Sequence, residues 1–223
     1  MGKLIDYWAN FEEGLTYHIY NRSINKEKIF QEARYCELFL QKCKKLILPF
    51  FDIEAYCIMP NHYHFLARVK PISKEILEKT KFQGTIKSRK FLQKEITYND
   101  FLVDQFKRLF QSFATIYNKE QDRDGSIFQK RFKRILIKDE FRWQHILAYI
   151  HHNPIHHKFR KQYDDWKFSS YLVFLTNADT SVAREPVLKR FDEDFETAKQ
   201  LYIDYHQAFK IDKELDDLYL DQL

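Results

Sequence analysis

The stretch from 51 to 70 constrains the fold most. FDIEAYCI at 51–58 and YHFLARVK at 63–70 read as two strands, and Met59-Pro60-Asn61 between them is turn chemistry. Side chains alternate across a strand. Tyr63, Phe65, Ala67 and Val69 therefore point one way, into a core, while His62 and His64 point the other way, side by side.

The flanking segments complete a pattern. LTYHIYNR at 15–22 reads as a strand, and the apolar spacing over 29–47 fits a helix that Pro49 stops. Residues 71–98 are polar, a helix with a long loop. Residues 100–121 read as one helix, with Asp100 able to cap it and Phe106, Leu109, Phe110 and Phe113 in its buried stripe. IFQKRFKRILI at 127–137 reads as a basic strand, and 140–152 as a helix terminated by Pro154. A short helix or turn follows at 166–175, a loop at 176–187, and one or two helices over 191–222. Strand–helix–strand–strand–helix–strand matches an α+β, ferredoxin-like split βαβ sandwich. It implies an antiparallel sheet with helices on one face and the opposite face free to hold a site. The sandwich would be a domain over 1–175, with 176–223 an acidic helical C-terminal extension.

Composition removes several classes. Aromatic residues make up 17% of the 223 residues, which argues against disorder, and with 4 Gly and 5 Pro a collagen-like or low-complexity chain fails. The longest apolar runs, such as LILPFF at 46–51, are too short to span a bilayer, and the N-terminus lacks a signal-peptide core. Cys36, Cys43 and Cys57 form no CxxC, so a disulfide or thiolate-zinc scaffold is unsupported and a reducing cytoplasm is expected. Charge is uneven. Residues 126–170 hold ten Lys/Arg against four Asp/Glu, and residues 188–223 hold five against ten. A basic middle suggests a polyanion surface, and an acidic tail one that stays off it; ordinary charge fluctuation is the alternative.

Two local features carry chemistry. Two imidazoles on one strand face can converge on a cation, with a third ligand from elsewhere; two surface histidines in a His-rich chain are the alternative. Tyr117 and Gln121 lie four apart, on one helix face, and could present a phenol and an amide oxygen to one small space. A tyrosine near a helix end is otherwise a packing residue.

These residues resemble a family. His62-Tyr63-His64, with Met59-Pro60-Asn61 before it, looks like the HUH motif. Tyr117-Asn118 looks like the catalytic tyrosine of single-tyrosine HUH transposases. Gly125-Ser126-Ile127-Phe128-Gln129-Lys130-Arg131-Phe132 and Tyr149-Ile150-His151-His152-Asn153-Pro154 resemble two further family blocks. The order of blocks over 15–170 is similar to REP-associated tyrosine transposases. The resemblance implies a divalent metal, Mg²⁺ or Mn²⁺, on His62 and His64, with Gln121 as third ligand and Tyr117 as nucleophile. It implies single-stranded or hairpin DNA as partner, cut and rejoined through a 5′-phosphotyrosine, by a monomer or a homodimer. The segment 82–98 is longer than in compact members, which puts hairpin specificity in doubt.

Lys130, Arg131, Lys133 and Arg134 can neutralise phosphates, with Arg131 and Lys133 on one strand face and Lys130 and Arg134 on the other. Phe128 and Phe132 suit the core better than base stacking. The cluster from His151 to His157 reads as a helix end with solvated histidines, because Pro154 interrupts the face that would align His152 with His156. His18 reads as a packed or hydrogen-bonded histidine that could lie near the site. A catalytically silent hairpin-binding protein is the second reading, and a zinc hydrolase a third, without an acidic ligand at suitable spacing.

Overall fold

The structure, a computed structural model, describes residues 6–211. Four strands, β1 (Thr16–Arg22), β2 (Phe51–Met59), β3 (His62–Val69) and β4 (Lys133–Leu136), form one antiparallel sheet in the order β2-β3-β1-β4. Helix α1 (Ala33–Leu46) joins β1 to β2. Helices α2 (Lys74–Gln83), α3 (Ile86–Leu92) and α4 (Tyr98–Glu120) lie between β3 and β4. Three more helices follow, α5 (Glu140–His156), α6 (Arg184–Leu188) and α7 (Phe195–Ala208). The split βαβ sandwich expected from the sequence is present. Of the one or two helices expected over 191–222, α7 is one, and the stretch 212–222 lies outside the described residues.

The alternation in β1 and β3 divides the interior in two. Tyr17, Ile19, Tyr63, Phe65, Ala67 and Val69 face α1 and α4, where they pack with Phe39, Phe106 and Phe113. The other face, expected to be open, is covered. Tyr20, Leu66, Ala55, Cys57 and Met59 pack there with Trp143, Ile146, Leu147 and Ile150 of α5. Trp143 pins that helix to the sheet by donating its indole N–H to the buried Glu54 carboxylate at 2.7 Å. Glu54 also accepts from Thr16 Oγ1 at 3.3 Å, and burial raises its pKa. The reason for the cover is apolar area: a four-stranded sheet with aliphatic side chains on both faces needs a second layer.

Residues beyond 175 belong to this second layer. Val187 and Leu188 of α6, and Ala198 and Tyr202 of α7, are buried in the α5-side core. His206 Nδ1 donates to the Tyr202 carbonyl at 2.7 Å, so its Nε2 accepts from His151 Nδ1 at 2.9 Å, while His151 Nε2 accepts from Ser170 Oγ at 2.7 Å. Val182 bridges Ile53, Ser169 bridges Cys57, and Trp8 bridges Arg134, so extended segments lie along both outer strands.

Three local expectations are corrected. Helix α5 does not stop at Pro154. It runs through it to His156, and His157 N–H still bonds the Asn153 carbonyl at 3.0 Å. A proline deletes one donor, but in the last turn the packed face on either side holds the helix together. The histidines there are accordingly not all solvated, since His151 is fully buried. The strand read over 127–137 is regular only at Lys133–Leu136, with an isolated bridge from Phe128 to Ser23 ahead of it. Phe128 and Phe132 pack in the α1–α4 core, as expected. Helix α4 starts earlier than expected, capped by Thr97 in a capping box with Asp100.

Candidate active site

His62 and His64 open β3 on the α5 side and are only 3% and 1% exposed. Their rings are 5.1 Å apart. His62 Nδ1 lies 2.6 Å from Asn61 Oδ1. A side-chain amide oxygen only accepts, so the His62 proton sits on Nδ1 and Nε2 carries a lone pair. That lone pair faces Asn153 Oδ1 at 3.5 Å. The Asn153 amide is held in this orientation because its Nδ2 donates to the Tyr149 carbonyl at 2.9 Å. Two acceptors therefore face each other in a buried space.

His64 is fixed from the neighbouring strand. His18 Nε2 lies 2.9 Å from His64 Nδ1. The His64 Nδ1 is taken up by this bond, and its Nε2 is buried without a hydrogen-bond partner among the described residues. Burial keeps all three imidazoles neutral: His18 and His62 are pulled down to about 3 and His64 well below its usual value. The His157 ring packs on His62 at 5.3 Å, and its half-buried imidazole is pulled down to about 4.

This donor set fits a divalent cation. His62 Nε2 and Asn153 Oδ1 stand 3.5 Å apart, and His64, on the same face of the sheet, has a buried Nε2 without a partner among the described residues; a hydrogen bond at its other end orients each group. Among the described residues no three His, Cys, Asp or Glu side chains make a ligand group; the third donor here is an amide.

Tyr117 and Gln121 are not part of this space. They converge as an i,i+4 pair, but on Tyr35 of α1, on the opposite face of the sheet. Gln121 Nε2 donates to Tyr35 Oη at 2.7 Å, and the Tyr117 ring packs on Tyr35 and Phe113 at 4.7 and 5.9 Å. Tyr117 belongs to the α1–α4 core, and burial raises its pKa. The reason is the stripe that Tyr117 shares with Phe106 and Phe113, which packs on the Tyr63 and Phe65 side. The tyrosine and amide that do meet the histidines are Tyr149 and Asn153 of α5. The Tyr149 ring stands edge-on to His64 at 5.7 Å and to His18 at 6.1 Å. The same four-residue spacing was written in the sequence at 149 and 153.

The basic residues separate by face. Lys133 stands 5.5 Å from the Tyr20 ring, which stacks on His18 and His64. Arg22, missed in the sequence, is the register partner of His62 across the sheet and lowers its pKa further. Lys130 is exposed, and the Arg131 guanidinium lies 5.7 Å from the Trp8 ring. Arg134 is committed to the protein itself. Its Nε and Nη2 donate to the carbonyls of Ala9 and Trp8 at 2.6 and 3.2 Å, and it lies over Phe11 and Phe132. Arg134→Ala should therefore lower stability by about 1–3 kcal/mol in denaturant titration.

Two known proteins are similar to this chain, one in sequence and one in fold. A Haemophilus influenzae protein named "Putative REP-associated tyrosine transposase" is 28% identical over 121 residues, a match spanning 54% of this chain and 59% of that protein. The chain resembles REP-associated tyrosine transposases. A solved structure, described as a REP-associated tyrosine transposase bound to a REP hairpin, matches with a TM-score of 0.54 at 16% identity, over 78% of this chain and 87% of that one. The fold of the sandwich and its helices is thus shared with a transposase of that kind. No family model matches the chain. Among the described residues no helix is long and apolar enough to cross a membrane.

Proposed function

We propose that the chain is a metal-dependent DNA strand transferase that cuts and rejoins single-stranded or hairpin DNA through a 5′-phosphotyrosine, with Tyr149 as nucleophile. The observation that carries this is the meeting of Tyr149 and Asn153, one turn apart on α5, with His62 and His64 on β3. Likeness to REP-associated tyrosine transposases in sequence and fold supports it.

A phenol titrates near 10 and is a weak nucleophile at neutral pH. A divalent cation, Mg²⁺ or Mn²⁺, held by His62, His64 and Asn153, would polarise the scissile phosphate. Asn61 and His18 fix the two imidazoles, and α5 fixes Tyr149 and Asn153 relative to each other. The Tyr149 oxygen forms a bond to phosphorus, the P–O3′ bond breaks, and the phenolic proton passes through solvent to the departing 3′-oxygen. A 3′-hydroxyl reverses the step, so rejoining needs no nucleotide cofactor. Arg22 and Lys133 supply positive charge on the same side of the sheet.

The test is covalent trapping. Labelled single strands and hairpins, incubated with the protein and Mn²⁺, should yield an SDS-resistant adduct that EDTA abolishes. Binding without adduct, across both metals and varied hairpins, would instead favour a catalytically silent hairpin-binding protein. An adduct formed equally in EDTA would remove the cation from the scheme.

A further inference from the structure

Helices α2 and α3 take no part in the candidate site. They form a hairpin that turns at Gly84, whose φ of 63° is left-handed. One side is docked. Ile76, Thr80 and Ser88 are buried, and Phe91 stacks on Tyr98 and Phe101 at 5.3 and 5.1 Å. Gln83 Nε2 donates to Gln105 Oε1 at 3.1 Å, and Arg108 donates to Gln83 Oε1 at 2.6 Å.

The other side is cationic, with apolar side chains at its tip. Phe82 is 94% exposed and Ile86 66%. Residues 74–94 hold seven Lys/Arg against two Asp/Glu. Lys79 and Lys90 pair with Glu75 and Glu95. Lys74, Lys81, Lys87, Arg89 and Lys94 are exposed, and no ion pair joins them to another described residue.

Position gives this surface a direction. Tyr98 Oη donates to the Lys70 carbonyl at 3.3 Å, so the hairpin is rooted just past the end of β3, whereas His62 stands at its start. Eight residues of strand separate the ends by about 25 Å, most of one turn of duplex DNA.

We propose that the α2–α3 hairpin is a second nucleic-acid surface that grips the phosphate backbone of a DNA stem away from the reacting strand. This rests on the reading of the chain as a DNA strand transferase. Charge complementarity selects the partner: exposed cations without ion pairs along the hairpin match a phosphate ladder, and Phe82 at the turn offers an apolar contact to sugars or a groove.

The test uses the full chain and the triple variant Lys81→Glu/Lys87→Glu/Arg89→Glu, which leaves the docked side intact. Unchanged melting would confirm its fold, and the glutamine triple gives a second, milder variant. The probes are a short single strand, and hairpins carrying that strand beside a stem shorter or longer than one duplex turn. The native chain should bind the long-stem hairpin at least about tenfold tighter than the short one, and the glutamate triple should lose that advantage. The triple should also flatten the slope of log affinity against log salt by about 2–3. Adduct formation on the single strand should be unchanged. Equal affinity of native and variant chains for the long stem overturns the proposal while leaving the adduct, and so the transferase reading, standing. Loss of binding to phosphatidylserine vesicles in the triple, with DNA affinity unchanged, overturns it in favour of a lipid surface. Absence of DNA binding and adduct in the native chain overturns both.

Discussion

Tyr149→Phe should abolish the covalent DNA adduct, and Tyr117→Phe should leave its yield within about twofold of the native chain. Phenylalanine at 149 keeps the ring that packs edge-on to His64 and His18, so the fold and DNA binding should persist while the nucleophilic oxygen is gone. At 117 the lost hydroxyl lies on the other face of the sheet, among Tyr35 and Phe113. The pair of variants measures which of the two i,i+4 pairs reacts. An adduct that survives Tyr149→Phe and vanishes with Tyr117→Phe would require DNA to enter on the α1–α4 side and would sink the site described above.

Metal-free protein should unfold in mild acid, with a midpoint above pH 5. His151 and His206 join α5 to α7 as neutral, buried imidazoles, His206 pulled down to about 3 and His151 well below its usual value. His18, His62 and His64 are buried and neutral in the same way. In the unfolded chain each titrates near 6.5. Above that pH neither state takes the proton, and stability is full. Below it, on the way down towards 3, the unfolded chain binds protons that the folded chain excludes. Each group then removes stability as the pH falls, and five such groups act against a domain stability of only about 5–15 kcal/mol. Circular dichroism during acid titration reads the midpoint. Because a cation binds only neutral imidazole, Mn²⁺ should move it to lower pH. A midpoint below pH 4 without metal would show that these histidines accept protons in the folded state.

Most of the sandwich was legible because it rests on period-two alternation. The sides taken by His62, His64, Tyr63 and Phe65 follow directly from the strand, and so does the division of the core. The position of Tyr117 was also within reach. It lies in one helical stripe with Phe106 and Phe113, and that stripe seeks the Tyr63 and Phe65 face, which excludes the histidine face. Tyr149 and Asn153 were harder, because their helix was read as ending at Pro154 and its target face as open. Proline weighs heavily in a local reading, but its cost in a last turn is small beside the burial of Trp143, Ile146 and Ile150 on the sheet. The approach of His18 to His64 depends on register between strands, which the local pattern does not encode.

Both outer strands of the sheet are already occupied. Along β2, Ala183 N–H and Ser170 N–H bond the carbonyls of Ile53 and Tyr56 at 2.8 and 2.9 Å, and Ile58 N–H bonds Phe168. Along β4, Arg134 N–H bonds the Tyr7 carbonyl at 2.9 Å. A sheet trimmed in this way offers no long ladder of open amides for strand addition. Amide protons at Tyr56, Ile58 and Arg134 should exchange slowly although they sit on peripheral strands.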